Sequence, residues 1–526
     1  MLDARIEPGQ QSSRGYIPRG LLLASAFIAV LVLVPVVVTI VQAFQGGWSA
    51  AATSIRASSS LVLLLHTALV ALVATPICGV IGVGTAWLIE RTQLPLRRLW
   101  ALLVVAPLVV PLFVTSYAYA SLGESLTGYW GSVAIIAFTY YPIVYLLVAA
   151  SLRVVDPALE ETARSLGLGP WRTFARAVLP QIRPALYGGL LLVFLDALVE
   201  FDAFVAFKYQ TFVFDIYYQY QVSFSASGAA ALSFFSIVLC LFVLFVEWRL
   251  RGDANYTRIA HGVRRTTTRY DLGKAAPLAV LALIALATVS LGIPVGELIY
   301  WFTQGSQAAL SSAAAGSQYL WPATVTSVAL GLSAAVVGVV LALPIAVLAV
   351  RYRGRSVTLA ERSIYLSFAL PDLVAAIALA YVANRYIHFL YGSMALLVLA
   401  EAMLFIPFAV VALRSTIGLI EPTLEDTARS LGLGPLRTLW RVTVPLARPG
   451  LAAAAVLVFA FVLGDLSTAQ VLLPPSYYTL GTQFWADGRT VAFAAAAPYG
   501  AVLIGLSLIS TYVLMSRFGK VRALAS

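Results

Sequence analysis

The sequence predicts an all-α polytopic membrane protein, with about twelve transmembrane helices in two parallel six-helix repeats. Three observations carry this reading. Of 526 residues, 61% are hydrophobic and 11% charged, and mean hydropathy is +0.90, whereas soluble domains carry about 25% charged residues. Apolar stretches of about 20 residues, the length that crosses a bilayer as a helix, recur along the whole chain. The string TARSLGLGP occurs at Thr162–Pro170 and again at Thr427–Pro435.

The elements follow in order. Arg5, Arg14 and Arg19 precede an apolar run over Leu21–Phe44. That run is too long for a signal-peptide core and no small-residue cleavage site follows it, so it reads as the first span. Further stretches fall near 62–88, 99–122, 131–152, 184–206, 229–250, 276–301, 323–350, 363–383, 392–413, 449–473 and 492–516. Cys78 and Cys240 lie inside apolar runs as small core residues, and His66, His261 and His388 are too far apart for metal-ligand spacing.

Lysine and arginine set the orientation. With both termini in the cytoplasm, the inner segments hold 30 of the 34 basic residues, and Arg56, Lys208, Arg385 and Arg489 fall outside. The net charge of +11 is therefore a topology signal. Short, separated basic loops make a poor phosphate track, so no nucleic-acid partner is expected; membrane lipid is the surrounding phase.

The repeat extends well beyond nine residues. Glu161–Leu186 and Asp426–Leu451 agree at roughly three in five positions with a constant offset of 265. The offset continues to the pairs Pro142/Pro407 and Glu200/Asp465, and becomes 260 upstream, at Arg91/Arg351 and Pro111/Pro371. Residues 1–250 and 276–526 are thus two copies of one unit, joined by a basic linker at 251–275. An even number of spans per copy makes the repeats parallel.

The best-matched segments, 153–183 and 416–448, are longer than ordinary helix connections. Each carries helix punctuation. Asp156-Pro157 reads as a cap followed by proline at the first helical position. Glu160 and Glu161 sit in the early turns, where the helix dipole favours acids, with Arg164 one turn on. Gly167 and Gly169 break the helix, and Pro170 starts a second one that stops before Pro180. Pro422, Glu425, Asp426, Arg429, Gly432, Gly434, Pro435 and Pro445 repeat the pattern. A structural turn with i,i+4 pairs is the plainer reading, but a turn does not require identity over two helices. Two like surfaces facing two like partners do.

These segments resemble the EAA loop of binding-protein-dependent ABC importer permeases. The matches are Glu161-Thr162-Ala163, Gly167 and Leu179-Pro180, then Asp426-Thr427-Ala428, Gly432 and Val444-Pro445. Threonine at the first alanine position, and aspartate and valine in the second copy, depart from the motif while conserving size. The resemblance implies a type I ABC importer permease fold. It implies loops that dock on ATP-binding subunits through Glu160, Glu161, Ala163, Gly167, Gly169, Pro170, Glu425, Asp426, Ala428, Gly432, Gly434 and Pro435. The implied partners are two copies of a cytoplasmic ATP-binding subunit and an extracytoplasmic solute-binding protein, in a bacterial inner membrane. A fused chain of this length is most similar to ferric-iron importer permeases, with thiamine importers next.

The chain has no G-x-x-x-x-G-K-[ST] loop and only three lysines, Lys208, Lys274 and Lys520. ATP and Mg are therefore expected on the partner subunits, with no cofactor, metal or catalytic residue here. Acids inside membrane spans are costly and point to function. Glu200 and its mate Asp465 either line a central passage or cap broken helices; Glu401 is a weaker passage candidate, and Asp196 and Asp202 lie near Glu200. Tyr140 and Tyr141 supply phenols, which are hard oxygen ligands, although interfacial belts account for most membrane tyrosines. Two other classes remain open: a six-plus-six secondary carrier, and a channel or scaffold without ATP dependence.

Overall fold

The computed structural model describes residues 18–45, 60–153, 157–223, 225–251, 269–308, 313–366, 370–418 and 420–524. Described residues form helices, with a single isolated parallel bridge between Thr92 and Tyr270. Many of the helices are apolar all round, as lipid-facing or fully packed helices are.

Each half is built on three packed helices. In the first, Ser60–Arg91 lies against Gly128–Leu152 and Leu179–Val199. In the second, Ala313–Arg351 lies against Met394–Ile417 and Arg448–Gly464. Small residues allow the close approach: a Cβ on Gly82 would meet Val144 Cβ at 2.7 Å. The opening helix of each half crosses over. Arg19–Gln45 packs on Arg355–Tyr365 and Asp372–Tyr386 of the second half, while Ile293–Ala308 packs on Leu112–Ser121 of the first. The halves are therefore interlocked, and one hydrophobic cluster joins Ile28, Val32, Phe201 and Val213 to Val374, Met403 and Val458.

Eight described helices are long and apolar enough to span a membrane, or ten when two bent pairs are each taken as one span. The twelve expected stretches are more broken than composition suggests. The stretch at 99–122 bends by 89° between Arg97–Val109 and Leu112–Ser121. The stretch at 363–383 is divided between Arg355–Tyr365 and Asp372–Tyr386. Pro111 and Pro371 each stand immediately before the second piece, where a missing N–H costs nothing. The stretch at 229–250 lies within one helix, Ala226–Arg251.

The repeated cytoplasmic segments do contain two helices with a bend: Pro157–Ser165 then Pro170–Thr173, and Pro422–Ser430 then Pro435–Thr438. The second helix does not stop before Pro180 as the sequence suggests. It passes through a π-helical turn, Phe174–Val178, into Leu179–Val199; the second copy has the same turn at Leu439–Thr443, but there the helix ends at Leu446 and Arg448–Gly464 starts after a 76° bend. Proline lacks the N–H that a carbonyl four residues back would accept, and a wide turn absorbs the mismatch. Asp156 lies outside the described residues.

Candidate functional site

Each repeated loop is closed by a left-handed glycine. Gly167 has φ +78° and Gly432 φ +86°. Leu168 N donates to Ala163 O at 3.1 Å and Leu433 N to Ala428 O at 3.1 Å, the six-residue closure of a Schellman motif. Ala163 and Ala428 are buried beneath it. A Cβ on Gly167, Gly169, Gly432 or Gly434 would meet nothing within 4 Å. The first glycine of each pair is thus required by backbone conformation, and the surface above it is open. Gly169 and Gly434 keep ordinary φ and lead into the second helix, which Pro170 and Pro435 begin.

Glu160 and Glu425, expected on the docking surface, face inward within their loops. Both are buried, at 4% and 5% exposure. Glu160 Oε1 pairs with Arg91 Nη2 at 3.0 Å, and the same guanidinium donates to Leu152 O at 3.0 Å. Glu425 Oε1 accepts from Arg351 Nε at 3.2 Å and Nη2 at 3.1 Å, and Arg351 Nη2 also donates to Ile420 O at 3.0 Å. Each arginine is the last residue of its long helix and each glutamate stands in the first turn of its loop helix. Both charges therefore lie at the helix ends whose dipoles favour them. The pairs tie each loop to the helix that starts its three-helix core. The i,i+4 contact Arg429–Glu425 is peripheral at 3.8 Å; the Arg164 side chain lies outside the described set. Glu161 and Asp426, next along the chain, are exposed, as are Leu166 and Leu431 at the bends.

The second group lies between the halves. The helices Leu179–Val199 and Arg448–Gly464 end at Glu200 and Asp465, and short helices Asp202–Ala206 and Ser467–Leu472 follow. Glu200 Oε1 accepts from Ala203 N at 2.9 Å and Asp465 Oδ1 from Thr468 N at 3.3 Å. Both acids cap broken helices, one of the two alternatives that the sequence leaves open. They also face the junction of the halves, because Ser467 Oγ donates to Asp202 Oδ2 at 3.1 Å. Ser467 and Asp202 are repeat mates. Residues that touch their own mates lie on the pseudo-two-fold axis, so the axis runs through these two breaks.

Tyr140 joins the group, donating from its hydroxyl to Glu200 Oε2 at 3.3 Å. Tyr141 does not: it is buried in the first half's core beside Ser290. Glu401 is fully buried against Asp465. Sequence reasoning missed Asp372, which interacts with Asp465, Asp196 and Glu200. An acid directly after Pro371 in an apolar stretch was the available signal; its mate Leu112 is apolar. Asp202 and Glu401 are buried, Glu200, Asp372 and Asp465 half-buried, and Asp196 exposed. Among the described residues no group of three or more His, Cys, Asp or Glu has metal-holding geometry.

The family described as binding-protein-dependent transport system inner membrane component matches residues 19–248 and 336–521. The chain belongs to this family. It is accordingly a multi-pass membrane permease of a binding-protein-dependent ABC importer. The Fe(3+)-transport system permease protein FbpB 2 of Haemophilus influenzae is 32% identical over 501 residues, 94% of this chain and 98% of the relative. The sulfate transport system permease protein CysT of Escherichia coli is 31% identical over 194 residues, 34% of this chain and 70% of its own. The molybdenum transport system permease protein ModB of Escherichia coli is 31% identical over 193 residues, 32% of this chain and 84% of its own. Relatives of one-unit length therefore sit beside a relative of two-unit length. This agrees with a permease in which two units are fused in one polypeptide.

Proposed function

We propose that this permease carries ferric iron, delivered by an extracytoplasmic binding protein, into the cytoplasm by alternating access, driven by two copies of one ATP-binding subunit. The observation that carries the coupling is the pair of matched loops. Each has an exposed bend, at Leu166-Gly167 and Leu431-Gly432, and a buried Arg–Glu pair behind it. Partner motion applied at the bend passes through Glu160–Arg91 and Glu425–Arg351 into the two long helices. The first loop continues through its π turn into the helix that ends at Glu200, and the second reaches the helix that ends at Asp465 across a 76° bend at Ala447, so the axis breaks move with the loops. ATP and Mg belong to the partner subunits, and both termini lie on the cytoplasmic side with the basic linker.

The iron assignment rests on the two-unit relative named for Fe(3+) transport and on the axis. Six carboxyl groups around the crossing point favour a hard cation and oppose a sulfate- or molybdate-like anion. Small-solute importers such as those for thiamine would use the same coupling loops, and the axis residues discriminate among them. In liposomes holding permease, ATP-binding subunits and the binding protein, ATP-dependent uptake of ferric iron and no uptake of sulfate or thiamine is the expected result. Uptake independent of ATP would point instead to a secondary carrier.

A further inference from the structure

The two loops are held by the same kind of ion pair, but the hydroxyl that also donates to the glutamate comes from different places. In the second half it comes from within the loop: Thr443, the last residue of the π turn, donates to Glu425 Oε1 at 2.9 Å. The repeat mate of Thr443 is Val178, buried and unable to donate. In the first half a described donor is Tyr270, from the segment joining the two repeats, whose hydroxyl reaches Glu160 Oε2 at 3.2 Å. That segment is fixed to the first half. Tyr270 N donates to Arg91 O at 2.8 Å, Gln93 N donates to Tyr270 O at 2.9 Å, and the Tyr270 ring lies 5.8 Å from that of Trp87.

We propose that Tyr270 is a positioning residue for the first coupling loop, replacing the hydroxyl that Val178 lacks. The linker is then a working part of the coupling machinery as well as a tether. A carboxylate accepts several hydrogen bonds, and a donor on each side fixes its rotamer. With Arg91 on one oxygen and Tyr270 on the other, the Pro157–Ser165 helix is held to the end of Ser60–Arg91 as one body. The inference rests on the reading of these loops as coupling elements. It adds an asymmetry which that reading alone does not contain: the first loop depends on the linker and the second does not.

The test uses the full chain with its ATP-binding subunits in liposomes and compares Y270F, V178T and the double variant Y270F/V178T. Phenylalanine keeps the ring beside Trp87, and a thermal unfolding midpoint verifies that the fold is retained. Amide exchange is followed in 157–165 and in 422–430, the second loop serving as internal control. Permease-stimulated ATP turnover is measured on the same samples. Y270F is expected to speed exchange in the first loop about fivefold, with the second loop unchanged, and to lower stimulated turnover in parallel. The double variant is expected to return both to near the starting values. Unchanged exchange in Y270F overturns the proposal, as does a defect that V178T leaves in place. Faster exchange with unaltered turnover reduces Tyr270 to a clip without a coupling role. An ATP-binding subunit that fails to associate with the unaltered chain overturns the reading of the loops themselves.

Discussion

Residues 161–186 and 426–451 agree at roughly three in five positions, whereas of the six acids around the pseudo-axis a single pair, Glu200 and Asp465, is matched. The other four face apolar or small mates: Asp196 pairs with Phe461, Asp202 with Ser467, Asp372 with Leu112 and Glu401 with Ile136. Both regions arose from the same duplication and both lie where the halves must work together. The difference follows from what each region meets. If the loops receive two copies of one partner, as proposed, both are held to one shape, since a change in either weakens contact with the same surface. The proposed passage on the axis would meet one solute at a time, and that solute is indifferent to which half supplies an oxygen. Divergence inside the passage is therefore tolerated so long as the sum of its charges and donors is kept.

This comparison can be broken or sharpened by substitution. The largest effect is expected at the ion pairs. R351M leaves Glu425 buried with its principal partner gone, at a cost of about 3–5 kcal/mol, and R91M should cost about as much because it strands Glu160 in the same way. Thermal unfolding in detergent measures both. The double variant R351M/E425L should recover much of the loss, because no unpaired charge remains. A large effect in one half alone would show that the loops are not equivalent.

An intermediate effect is expected on the axis. E200Q/D465N should slow ferric iron uptake about tenfold while leaving the ATP-binding subunits bound, because attraction for a cation is removed and the coupling surface is untouched. Equal uptake by variant and parent would assign both acids to helix capping. The smallest effect is expected from D202S, which makes the contact between mates symmetric as Ser–Ser. Removing one acid of six should lower uptake about threefold and leave ATP turnover unchanged. A loss as large as that of E200Q/D465N would mean that the asymmetry itself is required.

The sequence made the duplicated architecture legible because lipid demands long apolar helices and the repeat is nearly verbatim at the loops. Helix breaks were harder to see. Pro111, Pro371, Glu200 and Asp465 interrupt stretches whose average composition stays apolar, so the sequence shows the stretches and not the bends within them. At the loops, residue types and spacing showed the two-helix form but not which way each side chain points. Glu160 and Glu161 are neighbours in sequence, and one is buried on Arg91 while the other is exposed. Arg91 and Arg351 were visible as an aligned pair, yet nothing local showed that each reaches the glutamate of its own half across 69 and 74 residues. Tyr270 was hidden for the same reason, since its partner is 110 residues away.

The central claim is that two equivalent loops receive two copies of one ATP-binding subunit, and stoichiometry tests it most directly. Purified complex is measured by light scattering for the unaltered chain and for G167D, G432D and G167D/G432D. Aspartate tolerates a left-handed backbone better than most residues, and a Cβ at either position meets nothing within 4 Å. Helix content and unfolding midpoint of each variant verify that the loop fold survives a side chain at positive φ, so that a lost subunit reports the changed surface. Two ATP-binding subunits on the unaltered chain, one on each single variant and none on the double variant is the expected series. One subunit on the unaltered chain, or two retained on the double variant, would contradict the account.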